Sequence, residues 1–157
     1  MSAHIKDRKG FMHHALTRTS VLLALALTFQ IGLASFAQPV VGPLVNMTLL
    51  VAVMTAGPAP AVFIGLLTPL MAFMVGIMPV PFLLPVVMAG NTALVSLFYS
   101  LYRQDKIWSY WAALTAAAAS KWMVMSVLVR AVAGWFMPGL PSRVVDAMSF
   151  PPFYTAM

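Results

Sequence analysis

Hydrophobic runs fill almost the whole chain, broken mostly by short proline and glycine clusters and once, from Arg103 to Lys106, by a polar stretch. The breaks fall at Gln38-Pro39, Gly57-Pro58-Ala59-Pro60, Met78-Pro79-Val80-Pro81 and Met137-Pro138-Gly139-Leu140-Pro141. Proline lacks the backbone donor and restricts the residue before it, so such clusters end helices. Between them lie six apolar segments, about Ala15–Phe36, Val41–Ala56, Ala59–Ile77, Phe82–Tyr102, Ile107–Ala133 and Ser142–Met157. A membrane-crossing helix needs roughly 20 mostly apolar residues. The pattern therefore predicts an all-α membrane protein, a compact bundle of six transmembrane helices in a single domain from 15 to 157, preceded by a basic segment at 1–14. The second and third spans are short with a tight turn between them, and Pro151-Pro152 interrupts a scant sixth span.

Composition agrees with that reading. The chain has 157 residues, 62% hydrophobic and 8% charged, against about 25% charged in an ordinary soluble domain. One bundle of this length leaves no room for a nucleotide-hydrolysing domain, and no phosphate-binding loop of the G-x-x-x-x-G-K-[ST] kind occurs. Cysteine is absent, which excludes disulfides and thiolate metal sites. The net charge of +6 reflects topology rather than nucleic-acid binding, because the basic residues gather at span boundaries. Lys6, Arg8, Lys9, Arg18, Arg103 and Lys106 fall on one side, and Arg130 and Arg143 on the other, which predicts a cytoplasmic N terminus in a bacterial-type plasma membrane. The first span, with Ser35-Phe36-Ala37 after it, also has the outline of a secretory signal, but removing it would discard the basic residues that best explain the orientation.

One charge does not fit a boundary. Lys121 stands alone between Tyr110 and Val129, and an ammonium at the centre of a bilayer helix costs about 2.5–3.5 kcal/mol even on the mildest scale. Following helical rise along alternating spans places Gln30, Asn46, Asn91, Lys121 and Asp146 in the outer half of the membrane, on five different helices. That arrangement predicts an outward-facing polar pocket closed below by apolar packing. Lys121 would favour a carboxylate, phosphate or electron-rich carbonyl in a small-molecule ligand, and the amides would add donors and acceptors. Trp122 and Tyr154, with Trp135, Phe136 and Phe150, are available as aromatic walls. The structural alternatives are amides that bond only between helices and a Lys121–Asp146 ion pair with no ligand. No enzyme constellation is present, and three acidic residues are too few for a metal site or a proton relay. No cofactor is expected.

Two stripes of small residues complete the picture. Ser20, Ala24 and Thr28 recur every four residues on the first span and predict a face for a partner helix, turned about 160° from Gln30. Ala112, Ala116 and Ser120 form a second stripe, expected to pack internally beside Lys121.

Gly42-Pro43-Leu44-Val45-Asn46, then Gly57-Pro58, Gly65-Leu66-Leu67-Thr68-Pro69 and Met88-Ala89-Gly90-Asn91 together resemble the S components of energy-coupling factor (ECF) transporters, the small membrane subunits that bind vitamins and related micronutrients. The similarity covers most of Val21 to Tyr154. It implies a six-helix fold, a vitamin or precursor as ligand, and assembly with a transmembrane coupling subunit and two cytoplasmic ATPases, with docking through the first helix. The family's Ala-xxx-Ala pattern there reads Ala24-xxx-Thr28 in this chain. Outside that resemblance, the composition also accommodates a small non-transport assembly protein and a stand-alone secondary transporter, the latter weakened by the shortage of acids.

Overall fold

The computed structural model describes residues 16–33, 38–78, 81–102 and 107–136, and all of its regular structure is helical. Five helices follow one another: α1 (Leu16–Gly32), α2 (Gln38–Ala56), α3 (Pro58–Met74), α4 (Leu83–Leu101) and α5 (Ile107–Phe136). The sixth expected span, Ser142–Met157, and the N-terminal segment 1–14 lie outside the described residues. Helix α4 and the Ile107–Trp135 stretch of α5 are long and apolar enough to cross a membrane. Helices α1 and α3 and the Val40–Ala56 part of α2 are apolar but shorter.

The turns are set by glycine and proline chemistry. A single residue, Gly57, joins α2 to α3; its φ of 98° lies where a side chain would be strained, and Pro58 starts α3 at a position that needs no donor. The third span was expected to reach Ile77 but ends at Met74, because Gly76 (φ 79°) reverses the chain. Gly76 N–H then bonds the Phe73 carbonyl and Ile77 N–H the Ala72 carbonyl, both at 3.0 Å, the paired bonds of a Schellman stop. Conversely, α2 begins at Gln38, three residues before the expected Val41: Pro39 falls in the first turn, where a missing N–H matters least, and Pro43 is carried inside the helix.

Most of the core lies between the polar centre described below and the end where α4 meets α5. There Leu49, Ala52, Val53, Ala61, Ile64, Leu94, Val95, Phe98, Ala113 and Ala117 are buried together. In a bilayer such a cluster is held by close packing rather than by escape from water, so small residues that let backbones approach are favoured. Phe98 stacks on Tyr102 with centroids 5.2 Å apart and meets the edge of Tyr110 at 6.1 Å, which closes that end. At the same end, Ser109 Oγ donates to the Leu101 carbonyl (2.7 Å) and Arg18 Nη1 to the Thr55 carbonyl (3.0 Å). Both satisfy carbonyls that the last turns of α4 and α2 leave without a helical partner, and the guanidinium also suits the negative end of the α2 dipole. A smaller cluster of Val86, Met125 and Val129 fastens α4 to α5 on the other side of the polar centre.

The buried seam of α5 runs Ala113, Ala117, Met125, Val129, Ala133, with Lys121 in the same every-fourth-residue register. The stripe expected to pack internally, Ala112, Ala116 and Ser120, is therefore one residue out of register: Ala112 is exposed and the other two are only half-buried. A run of four consecutive alanines, Ala116 to Ala119, allows either register by size. The larger residues that follow, Met125 and Val129, decide it.

Candidate functional site

Three of the predicted polar residues meet. Lys121 Nζ donates to Oδ1 of Asn46 on α2 and to Oδ1 of Asn91 on α4, the latter at 2.7 Å. Asn91 is 2% exposed, and its Nδ2 donates to the Gly65 carbonyl on α3 at 2.7 Å. Four helices are thus joined through one ammonium and two amides.

The backbone makes room for this. A Cβ on Gly90 would stand 2.8 Å from Met125 Cγ and 3.4 Å from Lys121 Cγ, so glycine is what lets α5 lie close enough for Lys121 to reach across. A Cβ on Gly65 would approach Asn91 Cβ to 3.1 Å and Leu49 to 3.6 Å. These two glycines carry no chemistry of their own, yet they set the spacing of α3, α4 and α5 at the site. The spacing Gly65-x-x-x-Pro69 holds a further signal, because a proline four residues on removes the donor that the Gly65 carbonyl would otherwise meet.

Two amides orient themselves by elimination. An ammonium only donates, so each asparagine must present oxygen to it. Among the described residues, one N–H of Lys121, the Nδ2 of Asn46 and one N–H of Asn91 meet no acceptor. The described residues include no acidic side chain, since Asp7, Asp105 and Asp146 all lie outside them. The arrangement can therefore offer a positive charge and several N–H groups to a ligand that accepts hydrogen bonds.

Asn46 and Asn91 are each the ninth residue of a 19-residue helix, close to mid-length, and the early start of α2 carries Asn46 further along its helix than expected. Gln30 does not join them. It lies in the last turn of α1, within Thr28–Gly32, which is wound as a π-helix, and is half-buried with no side-chain hydrogen bond among the described residues. It is about 3 Å from the end of α1, whereas Asn46 is about 12 Å into α2. The π winding also means that the 160° between Thr28 and Gln30, reckoned for a regular α-helix, does not hold strictly. Trp122 neighbours Lys121 in sequence but points about 100° around α5 and is 47% exposed, so the described helices do not turn it toward the cluster. Asp146 and Tyr154 lie outside the described residues. On α1, Ser20, Ala24 and Thr28 are exposed along one side, while Ala26 is fully buried on another.

An all-helical membrane bundle with a cationic, donor-rich polar centre over an apolar floor is the class of protein these features define. The chain matches the family model for the ECF transporter substrate-specific component over residues 14–152 and belongs to that family. It is thus a substrate-binding integral membrane subunit of a transporter, and not an enzyme. No curated protein and no solved structure matches it significantly.

Proposed function

We propose that this subunit captures a vitamin or related small micronutrient from outside the cell and delivers it by docking on a transmembrane coupling subunit that carries two cytoplasmic ATPases. The ligand is anionic or carbonyl-bearing. Lys121 is its electrostatic anchor and Asn46 and Asn91 are its polar contacts, with Gln30, Trp122, Asp146 and Tyr154 secondary. The N terminus is cytoplasmic, so the aromatic floor of Phe98, Tyr102 and Tyr110 faces inward and the site is loaded from the opposite side. ATP hydrolysis belongs to the partner subunits.

The observation that carries this reading is the ammonium held between helices by two neutral amides. Family membership also weighs against a non-transport assembly role. The test is native mass spectrometry of gently purified protein, followed by equilibrium binding of whatever molecule it retains. Lys121→Ala and Asn91→Ala should each abolish retention while the protein stays monodisperse. Undiminished binding in both variants removes the site.

A further inference from the structure

We infer that Pro69 is a positioning residue for this site, acting through the Gly65 carbonyl to fix which end of the Asn91 amide faces Lys121. The inference rests on reading the Lys121 cluster as the ligand site. In a regular helix the carbonyl of Gly65 would accept the N–H of residue 69. Proline has no N–H, and its ring pushes that carbonyl outward. Gly65 and Pro69 are both buried, so the carbonyl has no water to turn to, and a buried acceptor without a partner is unfavourable. Asn91 Nδ2 meets it at 2.7 Å from the neighbouring helix.

A carbonyl only accepts, so the nitrogen end of Asn91 must face α3. The oxygen end then faces α5, where it accepts a hydrogen bond from Lys121 Nζ at 2.7 Å. Each anchor alone would orient the amide. The second becomes decisive when a ligand draws the ammonium toward itself: the carbonyl left open by Pro69 still holds the nitrogen of Asn91, and its oxygen cannot swing away. Thr68 needs no help from this network, since its hydroxyl returns to the Ile64 carbonyl at 2.8 Å.

The experiment is a double-mutant cycle on the ligand-free full chain in detergent, read as the thermal midpoint. Asn91→Asp places a carboxylate oxygen against the Gly65 carbonyl, and Asn91→Ala leaves that carbonyl bare. With Pro69 present, Asn91→Ala should lower the midpoint by roughly 5 °C or more, and Asn91→Asp by less, since its charge also pairs with Lys121. In a Pro69→Ala background the new N–H of residue 69 satisfies Gly65, and each drop should shrink to less than half. Equal drops in both backgrounds overturn the inference. Should Pro69→Ala not yield folded protein, infrared spectra of the wild type and Asn91→Ala, both labelled with ¹³C-carbonyl glycine, decide instead. A carbonyl band moving to higher frequency in the variant supports the inference, and an unchanged spectrum overturns it. Both measurements are made on empty protein. Coupling without any retained small molecule would therefore sink the proposed ligand site and leave the Pro69 linkage standing, while retention without coupling would do the reverse.

Discussion

Asn46 and Asn91 stand at the same step of two helices, each the ninth residue of nineteen, and both turn their side-chain oxygens onto the ammonium of Lys121. The equivalence is positional and not chemical. Asn91 is also anchored to Gly65, whereas the Nδ2 of Asn46 has no partner among the described residues. Asn91 therefore belongs to the frame, and Asn46 is the amide with donors to give.

That difference predicts opposite outcomes for stability and binding at Asn46. Asn46→Asp keeps an acceptor for Lys121 and adds a negative charge beside it, so the empty protein should hold its thermal midpoint or gain a few degrees. Binding of an anionic or carbonyl-bearing ligand should fall at least about tenfold, equivalent to about 1.4 kcal/mol, because the site's charge is neutralised and a donor is lost. Thermal unfolding and titration calorimetry on the same preparation read both quantities. A variant that binds as tightly as the wild type would show that Lys121 does not recognise acceptors.

Gly90 should be nearly intolerant of a side chain. A methyl there would press on Met125 Cγ at 2.8 Å and Lys121 Cγ at 3.4 Å, atoms too near their own backbone to swing clear. Overpacking of this kind costs about 1–3 kcal/mol. Gly90→Ala should lower the thermal midpoint and weaken ligand binding together. Met125→Ala in the same protein removes the tighter contact and should recover part of both losses. Absence of any recovery would place the damage elsewhere in α4.

The breaks between the described helices and the meeting of Lys121, Asn46 and Asn91 were legible in the chain for simple reasons. Proline-glycine breaks are local, and a lone lysine or asparagine in an apolar run has few ways to hide. The place of Asn46 along α2 was read less well, because rise along a helix is only as good as the residue from which it is counted, and α2 starts earlier than its first apolar run. The α5 register could not be read from small residues, since four alanines in a row look alike from every side. The role of Pro69 was present in its spacing from Gly65, but seeing it required knowing that the freed carbonyl faces Asn91 rather than lipid.

The apolar floor should be separable from the site. Phe98 is fully buried between Tyr102 and Tyr110, and it is seven residues from Asn91, about 10 Å along α4. Phe98→Ala should destabilise the protein by about 3 kcal/mol or more through the cavity it leaves. Ligand affinity measured well below the lowered midpoint should change less than about threefold, under 1 kcal/mol. A large loss of affinity at unchanged fold would mean that the aromatic cluster reaches the ligand after all.

The exposed side of α1 offers the sharpest test of partnership. Ser20, Ala24 and Thr28 leave a shallow strip that another helix can approach closely, and Thr28 folds its hydroxyl back onto the Ala24 carbonyl at 2.8 Å, so it presents its methyl rather than an unmet donor. Ala24→Trp fills the strip without touching Lys121, Asn46 or Asn91. The variant should bind ligand within about twofold of the wild type in detergent, a difference under 0.5 kcal/mol. Co-purification with the coupling subunit and its ATPases, and ATP-dependent uptake into proteoliposomes, should both fall at least tenfold. Uptake that survives Ala24→Trp would move the docking surface off α1, and uptake that needs no ATPases would revive a stand-alone transporter.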